Sequence, residues 1–198
     1  MKTVFFAFLV ALGSASAQSV NPSMPPEIRH VDGNVFLNDQ RVQPSGEFPK
    51  ITEDALMRTE DGRAEVLLAP GVTLRLGEHG SVRMTANRPG DNRIEVLAGP
   101  AVVITDGMNR DAKLTVFCEL EAALSSQGEY RFDNRHYRDI NENFCMFKVY
   151  RGAADVRLST VKASLRPGRM MDLNRQCGDH IPINRFDTGE PRGNHGFQ

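Results

Sequence analysis

Tryptophan is absent from this chain and only three tyrosines occur, so aromatic platforms for stacking sugar rings are scarce and a carbohydrate-binding module is disfavoured. A surplus of either charge is missing too, with 24 basic residues against 25 acidic ones. Without a basic excess or a lysine/arginine stripe, nucleic acid is not an expected partner. Among the five histidines no pair stands at H-x-H or H-E-x-x-H spacing, and the C-x-x-H of Cys177 to His180 lacks the companion ligands that zinc requires. No serine sits in a G-x-S-x-G turn, and no glycine loop has the spacing of a phosphate cradle. No catalytic residue, cofactor or metal ligand is therefore assigned.

What is present begins at the N-terminus. Lys2 precedes an apolar run from Val4 to Leu12, and small residues follow up to Ala15-Ser16-Ala17. That is the layout of a secretory signal peptide, residues 1–17, cleaved after Ala17. The run is about half of the roughly 20 residues a membrane span needs. No cysteine follows the small residues to carry a lipid, so a soluble mature chain of 198 − 17 = 181 residues is expected in the periplasm or outside the cell. All three cysteines, Cys118, Cys145 and Cys177, would then meet an oxidising compartment. Cys118 shares an alternating face with Leu114, Val116 and Leu120, where a free thiol packs as a small hydrophobe. The expected bridge is therefore Cys145 with Cys177, tethering the C-terminal segment.

Residues 18–29, with Pro22, Pro25 and Pro26, have the composition of an extended leader. Beyond them, turn signals recur every 8 to 12 residues or so: Asp61-Gly62, Pro70-Gly71, Gly77 to Gly80, Pro89-Gly90, Gly99-Pro100 and Asp106-Gly107. Between them the apolar residues alternate, as in Val72, Leu74 and Leu76, or Leu114, Val116, Cys118 and Leu120. A period of two means strands with one wet face. The pattern predicts an all-β domain over residues 30–186, built of short antiparallel strands in a stacked, sandwich-like or solenoid-like arrangement. Asp61-Gly62 is the strongest hairpin signal.

The octapeptides starting at Val96 and Val149 share V-x-x-G-x-A-x-V and are expected in equivalent places. Asp133 to Asn143 is polar and aperiodic and is expected to be a long loop. The tail, residues 187–198, is expected to be disordered. Glu119 and Glu121 stand two apart and would share one face of a strand; that face is a solvated one rather than a catalytic pair. Arg131 and Arg151 would be exposed basic points on adjacent strands, which a solvated sheet face accounts for more simply than a site.

One ordered series of segments resembles the FecR domain: Arg93 to Val103, Leu114 to Val116, Gly128 to Phe132, Val149 to Val156 and Leu165 to Met170, preceded by Met57 to Leu76. The resemblance covers about residues 55–173. It implies a periplasmic β domain, with Gly62, Gly71, Gly99, Gly152 and Gly168 as the turn glycines of the family-like motifs. Family members of the iron-uptake type relay a signal from an outer-membrane transporter to a cytoplasmic sigma factor, through a chain that crosses the membrane. The short apolar run supplies no such span, so sigma control by that route is not expected here.

The function expected is thus a non-catalytic protein-interaction module of the cell envelope. Its partner would be an envelope protein, for which the periplasmic part of an outer-membrane transporter is a candidate. Two alternatives stay open: a secreted enzyme with an unrecognised site, and a structural component that self-associates through a sheet edge.

Overall fold

The computed structural model describes residues 25–88, 91–108, 113–137, 142–172 and 180–182. The signal peptide, most of the leader, Cys177 and the C-terminal tail lie outside these. The described residues form strands and no helix, in chain order β1 (Glu27–Leu37), β2 (Gln40–Arg41), β3 (Leu56–Ala69), β4 (Val72–Leu76), β5 (Ser81–Arg88), β6 (Asp91–Ile104) and β7 (Lys113–Cys118). There follow β8 (Leu120–Leu124), β9 (Glu129–Tyr137), β10 (Glu142–Arg151), β11 (Ala154–Leu158), β12 (Val161–Leu165), β13 (Arg169–Asp172) and β14 (His180–Pro182). The all-β expectation holds. β1 begins inside the segment expected as leader. Two strands, β3 and β6, are long at 14 residues each, and β6 pairs with β7 in parallel, while the other pairs are antiparallel.

These strands form one hydrogen-bonded sheet that bends back on itself, because β3 and β6 change neighbours midway. The first part of β3 pairs with β5 through Leu56, Met57 and Arg58, and its second part pairs with β4 from Ala64 to Ala69. Likewise β6 lies between β5 and β7 up to Glu95, then between β4 and β9 from Ala101. One half therefore contains β5, β7, β8, β11 and β12, and the other β4, β9, β10, β13 and β14. Strands that switch layers at a bend make the corners of such a packing.

Two glycine-led positions expected as turns are instead these bends. Asp61-Gly62 is no hairpin: β3 continues through it, and Gly62 pairs with Gly33 of β1. A Cβ on Gly62 would lie 2.6 Å from both Asn34 N and Asp32 O, so glycine is required by close backbone approach. Gly99 lies within β6 at φ 70°, opposite Asn134 of β9. Its counterpart in the shared octapeptide, Gly152, has φ 87° and links β10 in one half to β11 in the other. Both copies of V-x-x-G-x-A-x-V thus mark a crossing between halves. Gly71 and Gly168 do turn the chain, between β3 and β4 and between β12 and β13.

Two threonines hold neighbouring corners in the same way. Thr59 N–H donates to Gly80 O (2.9 Å), its hydroxyl donates to Gly77 O (2.5 Å) and Gly80 N–H donates to that hydroxyl (2.8 Å). Thr105 N–H donates to Gly128 O (2.9 Å) and its hydroxyl to Ser126 O (2.7 Å). Each satisfies backbone groups that leave the ladder where the chain turns.

The alternating residues meet between the two halves. Val72, Leu74, Leu76, Val82, Met84, Ile94, Val96, Leu114 and Val116 are buried in one core with Tyr130, Phe132 and Phe147. The Phe147 ring stacks on Phe132 at 4.5 Å between centroids. Cys118 and Cys145 both lie in this core and are bonded to each other, with Cα atoms 5.6 Å apart. The expected Cys145–Cys177 bridge is replaced by one that crosses the core. Cys118 does face inward with Leu114 and Val116, but the surface it faces carries Cys145.

The expected loop at Asp133 to Asn143 is also corrected. Residues 133–137 continue β9 and pair with Glu142 to Met146 of β10, and 138–141 lie outside the described residues. Its polarity belongs to buried partners: Asp133 and Asn134 are each 5% exposed. Asn134 Nδ2 donates to Val96 O (2.8 Å) and Leu97 O (3.2 Å), tying β9 to β6 beside the Gly99 bend.

Candidate functional site

The solvated face of the first half is where this fold presents chemistry. Register sets the rows: Arg83 stands beside Glu95, Glu95 beside Phe117, Phe117 beside Glu121, Glu121 beside Arg157, and Arg157 beside Lys162. The adjacent row runs Arg93, Thr115, Ala123, Asp155, Ser164. Each residue points outward because its strand neighbours Met84, Ile94, Val116, Ala122, Val156 and Leu165 point into the core.

Most charges on this face are already paired. Arg83 reaches Glu95 at 3.4 Å, and Arg157 donates to Glu121. Arg93 forms two bonds to Asp91 on its own strand (3.2 and 3.0 Å), and that carboxylate raises the Arg93 pKa. Asp155 and Lys162 have no ion pair among the described residues. Exposed pairs of this kind contribute little to stability, about 0 to 1 kcal/mol each; their effect is to set the charge pattern a partner meets.

Two shallow grooves flank the face. One, of about 420 Å³, is lined by Glu53, Thr85, Arg88, Asp91, Arg93 and Phe117. The other, of about 460 Å³, runs over the small residues Ala123, Ala163 and Ser164 between Glu121, Arg157 and Lys162. Both are open to solvent.

Glu119 and Glu121 do not share one strand face. The chain reverses at Glu119, which has φ 55°, so that Cys118 pairs with Leu120. Glu121 is held by Arg157 instead. Arg131 and Arg151 do lie on adjacent strands, but only Arg151 is well exposed, beside Asp106 at 2.8 Å. Arg131 is half-buried and forms two bonds to Asp133 (2.8 and 2.9 Å). That hydrogen bonding outweighs burial and raises its pKa. No cluster of three or more His, Cys, Asp or Glu is placed to hold a metal among the described residues.

The fold is shared with solved structures. Two crystal structures, each of a "putative anti-sigma factor" from Parabacteroides distasonis, superpose with TM-scores of 0.52 and 0.50 at 15% identity. The first covers 65% of this chain and 59% of its own, the second 68% and 58%. This chain therefore spans somewhat over half the length of those proteins. No protein-family model and no curated protein matches the sequence.

The five glycines singled out in the sequence are distributed along bends and turns and do not converge on a site. The residues that do converge, Phe117, Glu121, Asp155, Arg157 and Lys162, come from four strands. Only Glu121 stood out beforehand. Phe117 belongs to the alternating segment from Leu114 to Leu120, which marks only a wet face, and the pairing order alone puts the five in two adjacent rows.

Proposed function

We propose that this chain is an exported, non-catalytic protein-interaction module of the bacterial cell envelope, of FecR type, whose solvated β5–β6–β7–β8–β11–β12 face meets its partner. The observation that carries the reading is the fold held in common with the two anti-sigma structures over about two thirds of the chain. That likeness favours a regulatory role exerted by contact rather than by turnover. Export is supported by Lys2, the Val4 to Leu12 run and Ala15-Ser16-Ala17, and by a disulfide in the core, which forms and persists in an oxidising compartment. The partner class proposed is an envelope protein, with the periplasmic part of an outer-membrane transporter the first to test.

The face suits such a contact. It is broad and shallow, with Phe117 set between Glu95 and Glu121 as one aromatic in a charged surround. An aromatic centre with a polar rim is the usual anatomy of a protein interface. The test is photo-crosslinking in cells, with the reactive residue placed at Thr115 or Ala123 on the face and at Glu47 as an exposed control. One discrete adduct from the face positions, absent from the control, is expected in the envelope fraction. Equal labelling from all three positions, or a chain retained in the cytoplasm, overturns the reading.

A further inference from the structure

β12 is an end strand of the sheet order, paired on one side with β11 and unpaired on the other among the described residues. It is short, but it carries no proline and has no register shift against β11, two of the devices that blunt an open edge. It also carries Val161, 43% exposed, the one exposed large hydrophobic side chain among the described residues.

We propose that two copies of this chain pair edge to edge through β12, antiparallel and two-fold symmetric about Ala163. The phase of the backbone fixes which groups are free. The two-residue turn Ser159-Thr160, with Ser159 at φ 50°, closes on Leu158 and Val161, which form a hydrogen-bonded pair, as two-residue hairpins do. Alternation then turns the N–H and C=O of Val161, Ala163 and Leu165 toward β11 and those of Lys162 and Ser164 toward the open edge. An axis at Ala163 sets Lys162 opposite Ser164 of the second copy. Both residues point their free groups at each other, so each of the two symmetric pairs exchanges two backbone hydrogen bonds.

Charge selects this register. Lys162 lies beside Arg157 on β11, a like-charged neighbour already engaged by Glu121, while Asp155 on β11 lies beside Ser164. Across the proposed axis, the row that ends in Arg157 and Lys162 continues into Ser164 and then Asp155 of the second copy. Lys162 and that Asp155 are two strand spacings apart, about 9.6 Å, with only the small Ser164 between them. Asp155 and Lys162, neither of them in an ion pair among the described residues, are thereby brought toward each other, twice per dimer. A register with Lys162 opposite Lys162 places like charges together, which is destabilising. On the opposite face Val161 stands across from the backbone at Leu165 of the second copy, whose side chain is already buried in its own core. The contact is isologous, so it closes as a dimer and does not propagate.

The test is sedimentation velocity on the oxidised mature chain carrying Cys177→Ser, over a wide concentration range, so that no dimer arises through that thiol. A concentration-dependent dimer is expected. Ser164→Pro removes an outward-facing donor without touching the β11 ladder and should abolish it, with circular dichroism checking that the fold is kept. Lys162→Glu should weaken it at least tenfold, and Lys162→Glu combined with Asp155→Lys should restore it. Ala163→Cys, placed at the axis, should crosslink on oxidation, whereas Val161→Cys should not. A monomer at every concentration overturns the proposal. So does a dimer indifferent to Ser164→Pro, since it would form elsewhere. The outcome does not depend on which envelope partner is bound, because the edge lies beside the face proposed for that partner.

Discussion

Cys118 of β7 and Cys145 of β10 are bonded across the core although their strands share no backbone pairing. The two halves of the bent sheet are therefore held covalently as well as by packing. Closing a segment with a sequence separation of 27 residues restricts the unfolded chain by about 3.5 kcal/mol in the chain-entropy treatment. Replacing both cysteines by alanine should lower stability by about that amount in urea denaturation. Non-reducing peptide mapping should recover Cys118 with Cys145; a Cys145–Cys177 peptide would contradict the structure.

Gly99 and Gly168 both have positive φ, but their surroundings differ. A Cβ at Gly99 would lie 2.6 Å from His79 O and 2.7 Å from the Gly80 Cα, whereas nothing stands within 4 Å at Gly168. Gly168→Ala should cost only the left-handed backbone penalty, about 1 kcal/mol. Gly99→Ala must also displace backbone and should cost about 3 kcal/mol or more. Paired thermal melts check the ranking, and equal losses would refute the bend at Gly99.

Much of the fold was legible because the wet and dry faces alternate so regularly. From Val72 to Leu76 and from Leu114 to Leu120 the alternation names the buried residues correctly. What it hides is direction. At Glu119 the chain reverses without breaking the alternation, since Cys118 and Leu120 face each other across the hairpin, so one strand and two strands look alike. Glycine is ambiguous in a similar way: a tight turn needs it, and so does a strand bent against another backbone, as at Gly62 and Gly99. Asp133 and Asn134 look like loop residues because their hydrogen-bond partners, Arg131 and the Val96 and Leu97 carbonyls, are invisible until β6 and β9 are paired. The candidate face was hidden for the same reason, as its row is assembled from β7, β8, β11 and β12.

Tyr130 is fully buried, and its hydroxyl donates toward Ser126 O (3.1 Å) and Ala153 O (3.0 Å). Ser126 Oγ also lies 3.0 Å from that hydroxyl and accepts from Ala153 N–H at 2.9 Å. The two side chains together join the β8–β9 corner to the Gly152 crossing. Tyr130→Phe and Ser126→Ala should each cost about 1 kcal/mol. Because they share partners, the double variant should lose less than the sum. A strictly additive result in chemical denaturation would show that they act separately.

Arg131 and Asp133 form an enclosed ion pair, with side chains 21% and 7% exposed. Truncating one partner of such a pair leaves the other charge buried, which costs more than the pair itself contributes. Arg131→Met should therefore destabilise by about 2 to 3 kcal/mol, discounted from a fully buried case because the guanidinium reaches solvent. Asp133→Leu in the same chain removes the stranded charge and should recover most of the loss. The pH behaviour follows from the raised Arg131 pKa, whose first cause is the hydrogen bonding to Asp133. A cation with a raised folded pKa contributes stability that is complete below its unfolded value and disappears only as pH rises through the folded one. For an arginine that window lies well above neutrality, so the Arg131→Met deficit should be the same at pH 5 and pH 9. Denaturation curves at the two pH values, for the wild type and both variants, decide the matter. A deficit that vanishes by pH 9, or a double variant no better than Arg131→Met, would mean that the pair does not hold β9 in this way.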